Sequence, residues 1–470
     1  MAIWRRRYHG RMSGSAVVYL AQMKLADTST LAAAMRGPVL TAADAGYDAV
    51  RKVWNGMIDR RPAAIARCTG AADVIAALAF ARDAGLPIAV RGGGHSFPGY
   101  SVCDAGVLID LQLMKSIRVE PAAQRARAEG GVLWAEYDRE TEAFGLASTG
   151  GMISHTGIAG LTLGGGFGVL CRKFGLAIDN LISADIVTAD GKLRTVSATQ
   201  EPDLFWAIRG GGGNFGIVTS FEYQLHQVEP MLAGLIAYPL PQALQVLRGL
   251  HEVMSSAPDE LMVTGALLTT PEGHKAVAVV PCYVGDPAEG ERVIAPLKKL
   301  GTVAMEKVGV MPYTVVQTLF DESAVPGRRF YLRSNYLETI GDTLIETLAG
   351  CYAATPSPLN AIVIPSVGGA VSRVAPEATA YYHRQAPYVM SLVNCWLDPS
   401  EDQPNIEWVR TTWTALTPHL PRRVYVNELQ EEGADRVRDA YGPAFSRLAA
   451  IKRQYDPDNI FRLNQNIPPA

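Results

Sequence analysis

Apolar residues recur at helical spacing over residues 71–84, where Val74, Ile75, Leu78 and Ala79 share one face. Gly85 stops that pattern, and residues 87–90 restart as a short apolar run of the kind a buried strand shows. Helix, tight turn and strand then lead directly into Arg91-Gly92-Gly93-Gly94-His95. Further strands are predicted over 107–111, over 186–188 and 192–196 around an Ala189-Asp190-Gly191 turn, and over the alternating stretch 217–225. Beyond Pro230, β-rich runs at 277–280, 361–365 and 389–394 alternate with helical patterns at 240–255 and 342–352. Past Pro421 the chain reads as a strand over 423–429, a helix over 434–454 and a tail running to Pro468. The mixture predicts an α+β protein, without internal repeats or low-complexity tracts.

Composition narrows the class. A chain of 470 residues suits two domains, and 43 basic against 46 acidic residues leaves no field that would hold nucleic acid. Six cysteines, at 68, 103, 171, 282, 351 and 395, form no C-x-x-C pair, and the eight histidines form no H-E-x-x-H. A metal site and a disulfide framework are therefore not expected. The basic run Arg5 to Arg7 and the short apolar stretch at 16–21 read as a leader over residues 1–39. That stretch is too short to span a bilayer, so a cytoplasmic protein without a membrane partner is expected.

Glycine changes the picture more than any other residue. Of 45 glycines, 23 lie between Gly92 and Gly216. A formal G-x-G-x-x-G occurs at Gly211, Gly213 and Gly216, but Ile217-Val218-Thr219-Ser220-Phe221 after it is β-branched and reads as a strand. A dinucleotide fingerprint must open a helix whose N-terminus meets the pyrophosphate, so this context excludes it. The run Arg91 to Ser96 is a better anion cradle, because three glycines let backbone N–H groups turn toward one phosphate. His95 closes that run; alone, a hydrogen-bonded loop histidine would be the plainer reading.

Four ordered segments carry a more specific signal: RGGGHSFPGYSV, GGMISHTGIAGLTLGGGFGVLCRKFGLAIDN, PDLFWAIRGGGGNFGIVTSFEYQLH and YDPDNIFRLNQNIPP. Together they resemble the berberine-bridge-enzyme-like branch of the vanillyl-alcohol-oxidase flavoproteins over nearly the whole chain after residue 40. The resemblance implies a two-part FAD-binding domain of the PCMH type plus an antiparallel-sheet substrate domain with covering helices. It places FAD binding at 40–230, substrate binding at 231–420, and a C-terminal segment, 421–470, returning to the FAD domain. It also implies that His95 is bonded covalently to FAD, with Arg91, Gly92, Gly93, Gly94, Ser96, Gly151, Ser154, His155, Thr156, Gly157, Gly160, Ile217 and Asn464 around the cofactor. Many members carry a second, cysteinyl link in G-x-C-P-T-x-G; here Ile153 stands at the cysteine position, which implies attachment through His95 alone. Cys171 falls outside that motif and reads as a buried small hydrophobe. Thr156 occupies a position near the flavin that influences oxygen access in the family.

Hydride removal from an alcohol or amine carbon calls for a base beside the departing proton. Plant-type members supply a tyrosine after Y-x-N; this chain has Tyr425-Val426-Asn427-Glu428, so Glu428 replaces it. Strand alternation puts Tyr425 and Asn427 on one face and Val426 and Glu428 on the other, so only one pair meets the flavin unless a bulge intervenes. Either Glu428 faces a desolvated pocket as a base or a partner for a substrate amine, or it faces solvent. His383 and Arg384 read as structural, and Tyr388, Met390 and Leu392 as one wall of the sheet covering the flavin. The expected activity is an FAD-dependent oxidase acting on a small molecule, with molecular oxygen reoxidising the flavin to give peroxide. A dehydrogenase with another acceptor and a non-catalytic flavin-binding protein are the alternatives. Neither the substrate nor the oligomeric state is fixed by the sequence.

Overall fold

The computed structural model of the protein describes residues 28–470. The basic run at 5–7, the apolar stretch at 16–21 and most of the leader expected over 1–39 lie outside the described residues. Strands β1 (Val39–Leu40), β2 (Ala64–Arg67), β3 (Ile88–Arg91) and β4 (Val107–Asp110) form a sheet in the order β1-β2-β4-β3. β2, β4 and β3 run parallel, as short buried strands joined by a crossover do. The crossover is the helix Ala71–Asp83, whose Val74, Ala77, Leu78 and Ala81 pack against Ile88, Val107 and Ile109.

A second sheet is antiparallel throughout. It contains β5 (Ile117–Glu120), β6 (Arg125–Glu129), β7 (Leu181–Val187), β8 (Leu193–Ser197) and β9 (Ile217–Gln224), in the order β5-β6-β9-β7-β8. Its core holds Ala128, Phe221 and Tyr223 together with Val424, Leu429, Tyr441, Leu448 and Ile467, so the last part of the chain packs into the first.

The third sheet has seven antiparallel strands: β10 (Met231–Pro239), β11 (Leu261–Thr269), β12 (Lys275–Tyr283), β13 (Met305–Met311), β14 (Arg329–Leu337), β15 (Ala361–Pro365) and β16 (Tyr388–Trp396). Their order is β13-β10-β12-β11-β15-β16-β14. Helices Ala243–Met254, Asp342–Ala353 and Asp402–Leu416 cover one face. Tyr388, Met390 and Leu392 do alternate on one side of β16, but that side packs on Leu247, Leu250, Ile345 and Val409 of the helices. Ser391 and Val393, on the opposite side, face the cavity described below, so the expected flavin-covering wall is corrected by one residue. The helices require the bulkier apolar set, and the smaller, more polar set is left for the cavity.

Two further expectations change near the C-terminus. The extended stretch stops at Tyr425, and Val426–Glu428 is a 3-10 turn closed by the Glu428 N–H donating to the Tyr425 carbonyl at 3.0 Å. The helix expected over 434–454 is two helices, Ala434–Tyr441 and Phe445–Tyr455. Gly442, at φ +54°, followed by Pro443, breaks it, since proline removes an N–H donor and clashes with the preceding turn.

Candidate functional site

The three sheets and the C-terminal segment enclose one continuous cavity of about 1220 Å3, large for a small-molecule site. One end is walled by Gly92, Gly93 and Gly94, by Gly157 and Gly160, and by Gly212, Gly213 and Gly216. Glycine is required where two of these turns meet: a Cβ on Gly93 would stand 2.5 Å from the Gly157 N and Cα. Gly94 lies at φ +76°, in the left-handed region. The Gly212–Asn214 segment is a 3-10 turn and leads into β9, so the formal dinucleotide motif opens a strand and not a helix. Ser96, Thr156, Ile217 and Asn464 also line the cavity.

His95 sits in the wall between these turns and the third sheet. Its imidazole stacks on Trp54, with centroids 4.0 Å apart and planes 19° from parallel. The Nε2 atom is buried and has no hydrogen-bond partner. Burial, with a smaller contribution from His155, pushes its pKa down to about 3, so the ring is neutral at ordinary pH. A neutral imidazole with an unpaired ring nitrogen is a competent nucleophile.

Four of the residues expected around the cofactor do not line the cavity. The Arg91 side chain turns away: it pairs with buried Asp110 at 2.8 Å and donates to the Val50 and Lys52 carbonyls. It anchors β3 to β4, and a phosphate at this loop would meet backbone N–H groups and no arginine. Gly151 lies behind the wall, its carbonyl accepting from Gln317 Nε2 at 2.8 Å. Ser154 donates through its backbone N–H and its hydroxyl to Asp321, at 2.9 and 2.6 Å. His155 stands behind His95, with ring centroids 5.2 Å apart, and burial lowers its pKa. Gly151 and Ser154 are drawn outward by Gln317 and Asp321 of the segment Tyr313 to Ala324, while the buried His155 Nε2 has no hydrogen-bond partner.

At the other end the turn at 426–428 resolves the alternation problem, since Tyr425, Asn427 and Glu428 all line the cavity. The Tyr425 hydroxyl accepts from the Gly166 N–H at 3.0 Å and from Asn427 Nδ2 at 2.8 Å. Asn427 Nδ2 also donates to the Leu161 carbonyl. Burial drives the Tyr425 pKa far up, which favours the protonated phenol near neutrality. Glu428 Oε2 accepts from the Ser391 hydroxyl at 2.5 Å. Burial raises its pKa above the usual carboxylate range, and hydrogen bonding from serines opposes that rise. Around it the cavity is apolar, with Leu332, Val363 and Val393 contributed by the third sheet.

His383 and Arg384 lie outside the lining: His383 Nε2 bonds the Asp439 carbonyl at 2.7 Å, and Arg384 holds Asp179 in a fork at 2.7 and 3.0 Å. Cys171 is fully buried in an apolar cluster, and its thiol is pushed up to about 12. Sequence reasoning missed Trp54, Gly212, Gly213 and Gly216 as lining residues. The three glycines did carry a signal, in the very motif that the strand context had disqualified as a dinucleotide site. Trp54 lies in no motif. Among the described residues no helix is long and apolar enough to cross a membrane.

Comparison with known proteins adds names to this geometry. The family model for an FAD binding domain matches residues 62–197, and that described as berberine and berberine like matches residues 424–468. The chain is 34% identical to (R)-6-hydroxynicotine oxidase of Paenarthrobacter nicotinovorans, covering 93% of this chain and 97% of that protein. It superimposes on the crystal structure of 6-hydroxy-D-nicotine oxidase from Arthrobacter nicotinovorans with a TM-score of 0.86, at 34% identity, covering 93% of this chain and 98% of that one. A chitooligosaccharide oxidase is similar too, with a TM-score of 0.84 at 25% identity, covering 94% and 99% of the two chains.

Proposed function

The chain belongs to the berberine-bridge-like FAD-linked oxidoreductases, and we propose that within that family it is an oxidase carrying FAD bonded covalently to His95 alone. In this reading it takes a hydride from an amine or alcohol carbon of a small molecule and passes the electrons to molecular oxygen, giving hydrogen peroxide. The residues present fit FAD. The Gly92–Gly94, Gly157 and Gly212–Gly216 turns leave room and backbone donors for a pyrophosphate, and His95 presents a buried ring nitrogen without a partner. When bound, FAD supplies the two-electron acceptor that no side chain of this protein can provide.

The observation that carries the reading is that His95 and the carboxylate of Glu428 share one cavity with those glycine turns. Glu428 binds the substrate's N–H or O–H and takes up the proton released as the C–H bond is cleaved. Its raised pKa suits that task, and the Ser391 hydroxyl fixes which oxygen remains free. Tyr425 and Asn427 hold the Leu161–Gly166 turn and so set the position of the residue pair that precedes Glu428. Leu332, Val363 and Val393 exclude water from the same space and favour an apolar ring over a polyhydroxylated one. An amine-bearing ring compound, the class to which the 6-hydroxynicotine of the similar oxidase belongs, suits the Glu428 carboxylate set beside Leu332, Val363 and Val393.

The test is anaerobic mixing of purified protein with N-heterocyclic amines, benzylic alcohols and sugars, followed by admission of oxygen. Bleaching of the flavin by an amine or alcohol, and peroxide on reoxidation, is the expected result. Bleaching without peroxide would make the protein a dehydrogenase, and no bleaching by any of them would remove the catalytic reading.

A further inference from the structure

Trp54 lies in the loop after the short helix Tyr47–Val50, 41 positions before His95, and belongs to none of the glycine motifs. Its indole is 5% exposed and packs in parallel with two rings. One is His95, at 4.0 Å and 19°; the other is Phe330 of β14, at 3.9 Å and 20°. Phe97 stands edge-on to all three, at 5.1 Å from Trp54, 6.3 Å from His95 and 6.5 Å from Phe330, with interplanar angles of 82° to 85°. The stack is pinned at both ends. The Trp54 N–H donates to the Gly94 carbonyl in the glycine loop, and Trp54 Nε1 donates to the Ala324 carbonyl at 2.5 Å. Asn55 and Phe330 exchange a reciprocal pair of bonds, Asn55 Nδ2 to the Phe330 carbonyl and the Phe330 N–H to Asn55 Oδ1, each at 3.0 Å.

A histidine side chain turns about two bonds, and in a glycine-rich loop nothing local fixes either. Here the ring plane is set by a residue that is itself held against the third sheet. We propose that Trp54 is a positioning residue for flavin attachment: stacked between Phe330 and the imidazole, it holds the His95 ring in the orientation from which the bond to FAD forms. Attachment is thereby tied to the docking of β14 over the glycine loop, so the cofactor is fixed only when the two halves of the chain have closed on each other. The inference rests on covalent attachment at His95, proposed above. Overall, one methyl C–H of the flavin and the imidazole N–H are lost and a C–N bond forms. Molecular oxygen carries away the two hydrogens and the electron pair as hydrogen peroxide.

The indole covers one face of the ring, which also borders the cavity. His155 lies behind it, and no carboxylate stands against it, so its proton affinity is low from every side that faces it. Removing the indole admits water and lets the imidazole regain an ordinary pKa of about 6.5.

The test uses full-length wild type, W54A, W54F and F330L, each incubated with added FAD. Total bound flavin and the fraction surviving acid precipitation are followed in time and against pH. In W54A flavin binding is expected to persist while attachment slows at least tenfold and acquires an acid limb between about pH 6 and 7, absent from the wild type. W54F, which keeps an aromatic plane, recovers most of the rate, and F330L falls between. Attachment in W54A at the wild-type rate overturns the proposal, as does a W54F that is slowed as much as W54A. Wild type that binds flavin but never attaches it overturns the attachment reading and this inference together.

Discussion

Lys452 is the buried cation on which the C-terminal segment hangs, and its replacement by methionine tests how that segment holds the cofactor end of the cavity. Its side chain is 0% exposed, as is that of Asp456 one turn later. The ammonium donates to Asp456 Oδ2 at 2.6 Å, to the Asn214 carbonyl at 2.7 Å and to the Phe461 carbonyl at 2.9 Å. All three donors are used, and Asp456 in turn accepts from the Ile460 and Phe461 N–H groups. Lys452→Met preserves the apolar stem but leaves a buried carboxylate without its counter-charge and two carbonyls without donors. Breaking a buried pair from one side costs about 3–5 kcal/mol. Each stranded carbonyl would add about 1–3 kcal/mol if nothing relaxed. Local relaxation and the Ile460 and Phe461 N–H groups that still bond Asp456 limit the total, so about 3–5 kcal/mol is the expected loss. With an unfolding entropy of about 2.1 cal/mol/K per residue, the chain loses roughly 3–5 °C in Tm if it melts as one unit. Because Asn214 ends the Gly212–Asn214 turn, flavin release should move to lower temperature in step. Calorimetry and flavin fluorescence on heating measure both. K452M/D456N, which removes the stranded charge, should regain part of the loss. A K452M protein melting within about 1 °C of the wild type would show that the buried pair does not hold the C-terminal segment.

Further predictions address the site itself. Arg91→Met leaves buried Asp110 paired with Arg67 alone and the Val50 and Lys52 carbonyls without that donor, and should cost about 1–3 kcal/mol, while flavin affinity below the melting temperature stays near wild type; a specific loss of affinity in a stable R91M would return Arg91 to the phosphate. Gly93→Ala forces a Cβ onto the Gly157 backbone and should cost about 1–3 kcal/mol together with most of the bound flavin, read as the flavin-to-protein absorbance ratio. Glu428→Gln should lower turnover about 10²- to 10⁴-fold and abolish the acid limb of the rate profile, whereas Ser391→Ala, by removing a hydrogen bond to the carboxylate, should shift that limb to higher pH. The stability sign follows from the same group. Because the folded-state pKa is raised, the unfolded chain releases its proton first, so Glu428 makes the protein less stable as pH rises from the ordinary carboxylate value to the raised one. E428Q should be more stable than wild type above that window, and equal stabilities there would contradict the assigned burial.

Much of this was legible in the chain because it is local. A glycine run ending in a histidine, and β-branched residues after Gly216, report their own backbone needs, so the loop before His95 and the strand that opens at Ile217 were both readable. What escaped depends on partners distant in sequence. Alternation on β16 shows two faces without saying which one the helices cover, so the wall was assigned to Tyr388, Met390 and Leu392 when it is Ser391 and Val393. No glycine or proline marks the turn at 426–428, yet it is this turn that brings Glu428 to the side of Tyr425 and Asn427. Arg91 ends a strand and precedes a phosphate-type loop, and only the buried Asp110 on the neighbouring strand explains why it points elsewhere. Trp54 has no sequence signal at all; its role comes from β14, some 270 residues later.

In the proposed reading this chain holds FAD by one bond, at His95. Intact-mass spectrometry of the denatured wild type and of His95→Ala tests it most directly. Wild type is expected to be heavier than its sequence by one FAD less two hydrogens and H95A to match its sequence, with any flavin it binds released on denaturation. A wild-type mass equal to the sequence, or an H95A protein that keeps the added mass, would contradict it.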